Sequence, residues 1–290
     1  MTKWIGRELR RKDDGALGPF LDKAPRPDAL FVKAAYASGP DFPGTWQGGF
    51  RDGTSLEAVM AVDNHRAVIY ADNEDAARGF AAEIYAQQKR MGPSIVAHRH
   101  QFIATSRTMA WMWPTLKDIP GRKGVLDREC DLYQAQPDDD TPASSNRVTV
   151  DLAQRADERI VYDFAAELQI EQIGVDPRKL GRDVYAQRVM DLIAYGRELI
   201  AKEKDNGRPY FVGELAALDG ATMLLTDAWV PPHYRGRAKL VAQAFWAAAR
   251  HPSVAGRELF YLAPDAAMGA AAKAAGWKRI AGYRWTVTHG

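Results

Sequence analysis

Between Val230 and the apolar run that begins at Leu240, the segment Pro231-Pro232-His233-Tyr234-Arg235-Gly236-Arg237-Ala238-Lys239 places two arginines and a lysine around a glycine. A strand that passes through such a loop into a helix aims free backbone N–H groups and the positive end of the helix dipole at one point, where an anion is stabilised. Arg235, Arg237 and Lys239 add charge beside those amides, a combination suited to a phosphate ester or a pyrophosphate. A solvated basic turn is the alternative that composition alone leaves open.

Other residue types with chemical potential carry less. His98-Arg99-His100 sets two imidazoles at i and i+2, which share a face only on a strand, and no carboxylate or cysteine stands nearby to complete a metal site; no metal is expected. Cys130 lies among Arg128, Glu129 and Asp131 with no histidine placed to activate it, so a covalent acyl-enzyme is not expected. Trp111-Met112-Trp113-Pro114 reads as core or interdomain packing, with a hydrophobic interaction surface or a ligand platform as the alternatives.

The elements that must position the basic loop follow from periodicity. Residues 136–146 combine acid, Pro and Ser and read as an exposed linker, giving an N-terminal domain over 1–140 and a C-terminal one over 146–290. Before the linker, apolar segments at 58–62, 68–70 and 95–96 and a helical stretch over 74–91 suggest a small α/β unit without a sharp motif. After it, 147–152 alternates as a strand, and helices are expected over 157–172 and about 180–195. Strands follow at 197–203, 209–218 and 222–230, with turns at Asn206-Gly207 and Asp219-Gly220 that readily take positive φ. Beyond the loop, Leu240, Val241, Ala244, Phe245 and Ala248 line one helix face and 259–262 is a short strand. Asp265 can cap an Ala-rich helix that Gly276 ends, and 279–287 closes as a strand with Tyr283 and Trp285 on one face. The fold class is mixed α/β, an α+β layout with a mostly antiparallel sheet.

At 290 residues, 46% apolar and 26% charged with a net charge of +2, the chain is an ordinary two-domain globular protein and no dedicated polyanion binder. A single cysteine excludes an intrachain disulfide and fits a reducing compartment. Neither a signal-peptide apolar region nor a run of ~20 apolar residues is present, so no membrane span and a cytoplasmic location are expected.

The run 210–277 resembles the GNAT superfamily of acetyl-CoA-dependent N-acetyltransferases. There a strand ending in Val-x-Pro-x-x-Arg-Gly feeds a loop of pattern Arg/Gln-x-x-Gly-x-Gly/Ala. Val230 to Arg237 matches it, whereas the two small positions fall on Ala238 and Leu240. The resemblance implies acetyl-CoA as donor, its pyrophosphate on Arg235, Gly236, Arg237, Ala238 and Lys239, and its pantetheine arm along the main chain of Ala228, Trp229 and Val230. Trp229 has core packing as the alternative. It implies Glu214 as the base, with Asp227 as a second carboxylate candidate; a solvent-facing position beside Val212 and Ala216 is the other reading of Glu214. The superfamily's usual tyrosine acid falls on Ala272, leaving Tyr261 or Tyr283 as substitutes or as packing residues.

The segment 167–177, with Tyr185, Arg188, Val189, Leu192, Ile193, Gly196 and Arg197, is similar to a bacterial group with two tandem GNAT-like domains, the first a degenerate copy that does not bind CoA. That resemblance implies Glu167 and Glu171 on the acceptor side, with a solvated helix face as the alternative. The expected activity is acetyl transfer to a small-molecule or peptide amine held between the domains. Two alternatives stay open: a donor borne by aminoacyl-tRNA or acyl carrier protein, and a binding module that has lost catalysis.

Overall fold

The computed structural model describes residues 3–37, 39, 45–63, 66–91, 100–118, 123–136, 147–174 and 176–289. The apolar pair Ile95-Val96, His98, Arg99 and all but the first residue of the linker lie outside them. The chain divides into two units, Met1–Cys130 with Ala281–Gly290, and Asp131–Ile280.

In the first unit the elements run β1 (Trp4–Glu8), α1 (Asp14–Lys23), α2 (Arg26–Ala37), β2 (Trp46–Arg51), β3 (Ser55–Asp63), β4 (Arg66–Ala71), α3 (Glu74–Met91), β5 (His100–Thr105), α4 (Ser106–Leu116) and β6 (Lys123–Gln134), the last ending in the second unit. β1 to β4 pair antiparallel in sequence order and β4 pairs β5 in parallel. Met112 of the Trp-Met-Trp-Pro run is buried in this unit's core, against which Trp111 and Trp113 pack, so the run is packing.

The second unit continues with β7 (Val148–Leu152), α5 (Glu158–Ile173), α6 (Pro177–Leu180), α7 (Arg182–Ala194), β8 (Glu198–Glu203), β9 (Pro209–Ala217), β10 (Thr222–Trp229), α8 (Pro232–Arg235), α9 (Ala238–Ala249), β11 (Glu258–Ala263), α10 (Ala266–Ala274) and β12 (Lys278–His289). β7 to β10 pair antiparallel in order and β10 pairs β11 in parallel. The pairing order of the first unit is thus repeated. In each unit one further antiparallel strand completes the sheet: residues 283–288 of β12 against β5 in the first, residues 131–134 of β6 against β11 in the second.

Strand pairing therefore divides the chain differently from composition. The linker set limits of 1–140 and 146–290, whereas backbone hydrogen bonds give 131–136 to the second unit and 281–289 to the first. A local feature repeats as well. Each unit has a first strand followed by a 3-10 turn whose buried aspartate, Asp13 or Asp157, accepts from the backbone N–H three residues earlier.

The second sheet carries two cores. One face packs Leu199, Leu225, Tyr261 and Phe245 with Trp277; the ring centroids of Phe245 and Trp277 are 5.4 Å apart, edge to face. The other packs Ile200, Val212 and Trp229 against Val161, Leu168, Tyr185 and Val189 of α5 and α7. Of the two predicted turns, Gly207 takes positive φ (67°). Gly220 does not: the Asp219 carboxylate accepts the Ala221 N–H at 2.7 Å, closing the turn with a side chain instead of a left-handed residue.

Candidate functional site

Side-chain alternation on β8 and β9 puts Glu198 and Glu214 on the α5–α7 face of the second sheet, the face that carries Ile200 and Val212. Glu198 stands directly opposite Glu214, and Glu214 opposite Thr226, so the two acids form one row across neighbouring strands. Both are buried, at 4% and 6% exposure. The alternative reading of Glu214, a solvent-facing carboxylate beside Val212 and Ala216, is overturned by that burial, since α5 and α7 cover the face it shares with Val212.

Arg197 donates to the Glu214 carboxylate in an ion pair. Glu198 makes no side-chain hydrogen bond or ion pair among the described residues. Its carboxyl is pushed well above the usual carboxylate range, first by burial and then by the charges of Glu214 and Asp227, against weaker opposition from Arg188 and Arg197.

Asp227 follows Thr226, the β10 residue opposite Glu214, where the register of β10 against β9 shifts between Thr226 and Trp229. Its φ is +50°, a left-handed conformation that costs a non-glycine residue about 1 kcal/mol or more. From the same point β10 leaves β11: their parallel pairing covers Thr222 to Leu225 against Glu258 to Tyr261. The main chain of Thr226 to Val230 thus has β9 on one side and, among the described residues, no strand on the β11 side. Trp229 lies under α5 with its ring 4.6 Å from that of Phe164, and its indole N–H has no partner among the described residues.

The basic loop follows at once. α8 makes a single turn, Gly236 has an ordinary right-handed φ of −70°, and α9 begins at Ala238. A Cβ built on Gly236 would meet nothing within 4 Å, so neither backbone geometry nor packing imposes the glycine, and it leaves open space beside the helix start. The Leu240 and Val241 amides turn back to the Arg237 carbonyl at 2.8 and 3.2 Å. Leu240, at the second position where the resemblance called for a small residue, packs against the core and does not obstruct the loop. Ala238 and Lys239 are exposed.

The arginines are braced. Arg235 donates to the Val230 carbonyl at 2.9 Å and grips both oxygens of Glu171 at 2.6 and 2.8 Å, tying the loop to α5. Arg237 pairs with Glu203 at 3.4 Å and lies over the Tyr234 ring. Lys239 is in no ion pair among the described residues. Glu167 is engaged by Arg178 at 2.9 Å, which also holds Asp176, so the two acids expected on the acceptor side both serve ion pairs that fasten α5.

Tyr261 is not brought to the carboxylates. It lies on the opposite face of the sheet, packed with Phe245, and Tyr283 belongs to the first unit, where its hydroxyl donates to the Pro27 carbonyl at 2.6 Å. Ala272 is fully buried.

Glu198 is the residue that sequence reasoning missed. Its signal was parity: it alternates with Leu199 and shares a face with Ile200, so an acid stood on an inward face of a strand. A separate recess of about 420 Å³ is lined by Thr149, Asp151, Ile200, Lys202 and His251 around the ion pair of buried Asp157 with half-buried Lys202, and it includes no predicted site residue.

In the first unit the equivalent strand-to-helix junction, β4 into α3, is acidic. Glu74 and Asp75 occupy the first turn, and Asn73 accepts the Ala76 N–H at 2.9 Å. Carboxylates there stabilise the helix and disfavour a phosphate.

No protein-family model matches the chain. No curated protein matches it either. Solved structures do. A GCN5-related N-acetyltransferase from Sphaerobacter thermophilus is similar over 98% of this chain and 95% of its own, with a TM-score of 0.61 and 16% sequence identity. An acetyltransferase of the GNAT family from Colwellia psychrerythraea is similar over 99% and 100%, with a TM-score of 0.52 and 13% identity. A tandem GNAT protein from the clavulanic acid biosynthesis pathway is similar over 98% of both chains, with a TM-score of 0.50 and 13% identity. At such identities the likeness establishes the fold: mixed α/β, of the GNAT type.

Proposed function

We propose that this chain is an N-acyltransferase whose second unit transfers an acyl group, acetyl in the first instance, from coenzyme A to an amine. One observation carries the reading: β10 parts from β11 beside a row of buried carboxylates and then leads, through a loop with an unobstructed glycine, into the start of α9.

The residues fit such a donor. The main chain of Ala228, Trp229 and Val230, unpaired on the β11 side, would hold the pantetheine amides. Gly236, Ala238 and Lys239 would receive the pyrophosphate at the helix start, with Arg237 beside them and Arg235 bracing the loop through Glu171. Coenzyme A supplies an acyl group activated as a thioester. Glu214, held by Arg197, would take the proton from the acceptor ammonium so that the amine can attack, and Asp227 would help to hold that cation. With alanine at position 272, no side-chain acid is assigned to the thiolate, which leaves more readily than an alkoxide. The acidic junction of the first unit argues for one donor site per chain.

Thiol release from acetyl-CoA in the presence of amines tests the reading. Glu214→Gln should lower kcat about 10²-fold or more and abolish the dependence of the rate on a deprotonated carboxylate. An unchanged rate and pH profile would remove Glu214 from the mechanism. Transfer from aminoacyl-tRNA or acyl carrier protein without any from acetyl-CoA would reassign the donor.

A further inference from the structure

The Glu214 side chain is 8% exposed and that of its partner Arg197 is 43% exposed, so the arginine reaches a buried carboxylate from the rim of the face. The main chain of Arg197 is pinned on both sides. Its N–H donates to the Leu192 carbonyl of α7 at 2.9 Å, and its carbonyl accepts the N–H of Leu215, the neighbour of Glu214, at 2.6 Å. Gly196, with a φ of 61°, turns the chain from α7 toward β8 and delivers Arg197 to that place. Arginine and carboxylate therefore belong to one hydrogen-bonded frame of helix end, turn and strand.

The surroundings oppose a negative charge there. Glu198 stands directly opposite Glu214 and is buried alike. Asp227 of β10 and Arg188 and Tyr185 of α7 also act on Glu198, and the Tyr185 hydroxyl is already committed to the Tyr162 carbonyl at 2.9 Å. From α5 the face receives Val161, Phe164 and Leu168, which carry no charge. Two buried carboxylates set opposite one another do not both ionise readily. Glu198 is pushed well above the usual carboxylate range by burial and then by the charges of Glu214 and Asp227, which outweigh Arg188 and Arg197. Glu214 meets the same burial and the same opposed acid; what it has in addition is the Arg197 ion pair.

We propose that Arg197 is a positioning residue of the acyl transfer: its guanidinium keeps Glu214 as the ionised member of the opposed pair and fixes its orientation, so that an arriving ammonium meets a carboxylate able to take its proton. In that step an N–H bond of the ammonium breaks, the proton passes to a Glu214 oxygen and the electron pair stays on nitrogen. This rests on the reading of Glu214 as the base, yet the pairing is measurable without catalysis.

Carboxyl carbon NMR of the full chain with isotope-labelled glutamate, titrated from about pH 3 to about pH 9, tests the proposal; the Glu214 signal is identified by its absence in Glu214→Gln. In Arg197→Gln the Glu214 transition should move to higher pH by about one pH unit or more. In Arg197→Lys, which keeps the charge, it should stay within about half a pH unit of the wild type. The rising limb of kcat/KM, read by thiol release from acetyl-CoA with propylamine as acceptor, should follow the transition in all three proteins. A transition that does not move in Arg197→Gln, one that moves equally far in Arg197→Lys, or a rising limb that stays put while the transition moves would overturn the proposal. The titration is decisive on its own where propylamine is not acetylated. The base fails separately: unchanged transfer in Glu214→Gln refutes it whatever the titration gives. Lost transfer in Glu214→Gln together with an unmoved transition in Arg197→Gln keeps the base and refutes the part given to Arg197.

Discussion

Replacing Glu198 by glutamine should make the protein more stable, by an amount that grows with pH. The folded chain retains the Glu198 proton well above the 4.5 of an ordinary glutamate because the carboxyl is buried and faces Glu214 and Asp227. The unfolded chain loses that proton at the ordinary value. Over the interval between the two, the folded state binds one proton more than the unfolded state, so wild-type stability falls as pH rises. The limiting slope is about 1.4 kcal/mol per pH unit for a single group. Glutamine keeps the shape and removes the titration. The stability difference between variant and wild type should therefore be small near pH 4.5 and widen as pH rises above it. Urea unfolding of both proteins at pH 5, 6 and 7 measures it, and the subtraction cancels every group the two share. A difference flat to within about 0.5 kcal/mol, or one that narrows as pH rises, would refute the reasoning.

Other expectations follow from the geometry. Asp157→Asn should cost about 1–3 kcal/mol near neutral pH by leaving Lys202 and the Gln154 amide without their carboxylate. Burial pushes the Asp157 carboxyl up, but the Lys202 hydrogen bond and charge and the Gln154 amide together hold it below its ordinary value. Its contribution should be present above the ordinary Asp range and lost as pH falls below it, which thermal unfolding from pH 7 to pH 2 checks. Tyr261→Phe should leave acyl transfer within about twofold of wild type, because the ring lies on the face opposite Glu214; a loss of 10²-fold or more in kcat would return it to the mechanism. Phe245→Ala, which empties the space between Tyr261 and Trp277, should destabilise by about 3–5 kcal/mol in denaturant unfolding.

Much of the second unit was legible in the sequence because its elements are short, strongly periodic and punctuated. Asp265 caps α10 through the Met268 amide, and Gly276 just past its end takes a φ of 85°, as the residue types imply. Three things were not legible. The exchange of closing strands depends on hydrogen bonds between residues far apart in sequence, and β6 and β12 carry no local mark of their partners. The burial of Glu214 beside Glu198 depends on the register of β8 against β9, which includes a shift between Ala201 and Lys202. The uses of Glu167, Glu171 and Arg235 depend on where α5 and α6 lie: an acid on a helix face reads alike whether it meets a substrate or Arg178. In the first unit the apolar segments at 58–62 and 68–70 fall in β3 and β4, whereas β2 needed a sheet to be recognised; its Gly48-Gly49 pair is hemmed in by Leu9, Leu56 and Phe80, a constraint invisible from spacing.

The account's central claim is a donor site in the second unit at the Gly236 loop. Calorimetric titration of acetyl-CoA into the wild type and into Gly236→Val measures it most directly. Valine at that position meets ordinary backbone geometry and open space, so the fold and melting temperature should be unchanged. One acetyl-CoA should bind per wild-type chain, and the variant should bind at least tenfold more weakly. No binding to the wild type, two sites per chain, or equal affinity in the variant would contradict the claim.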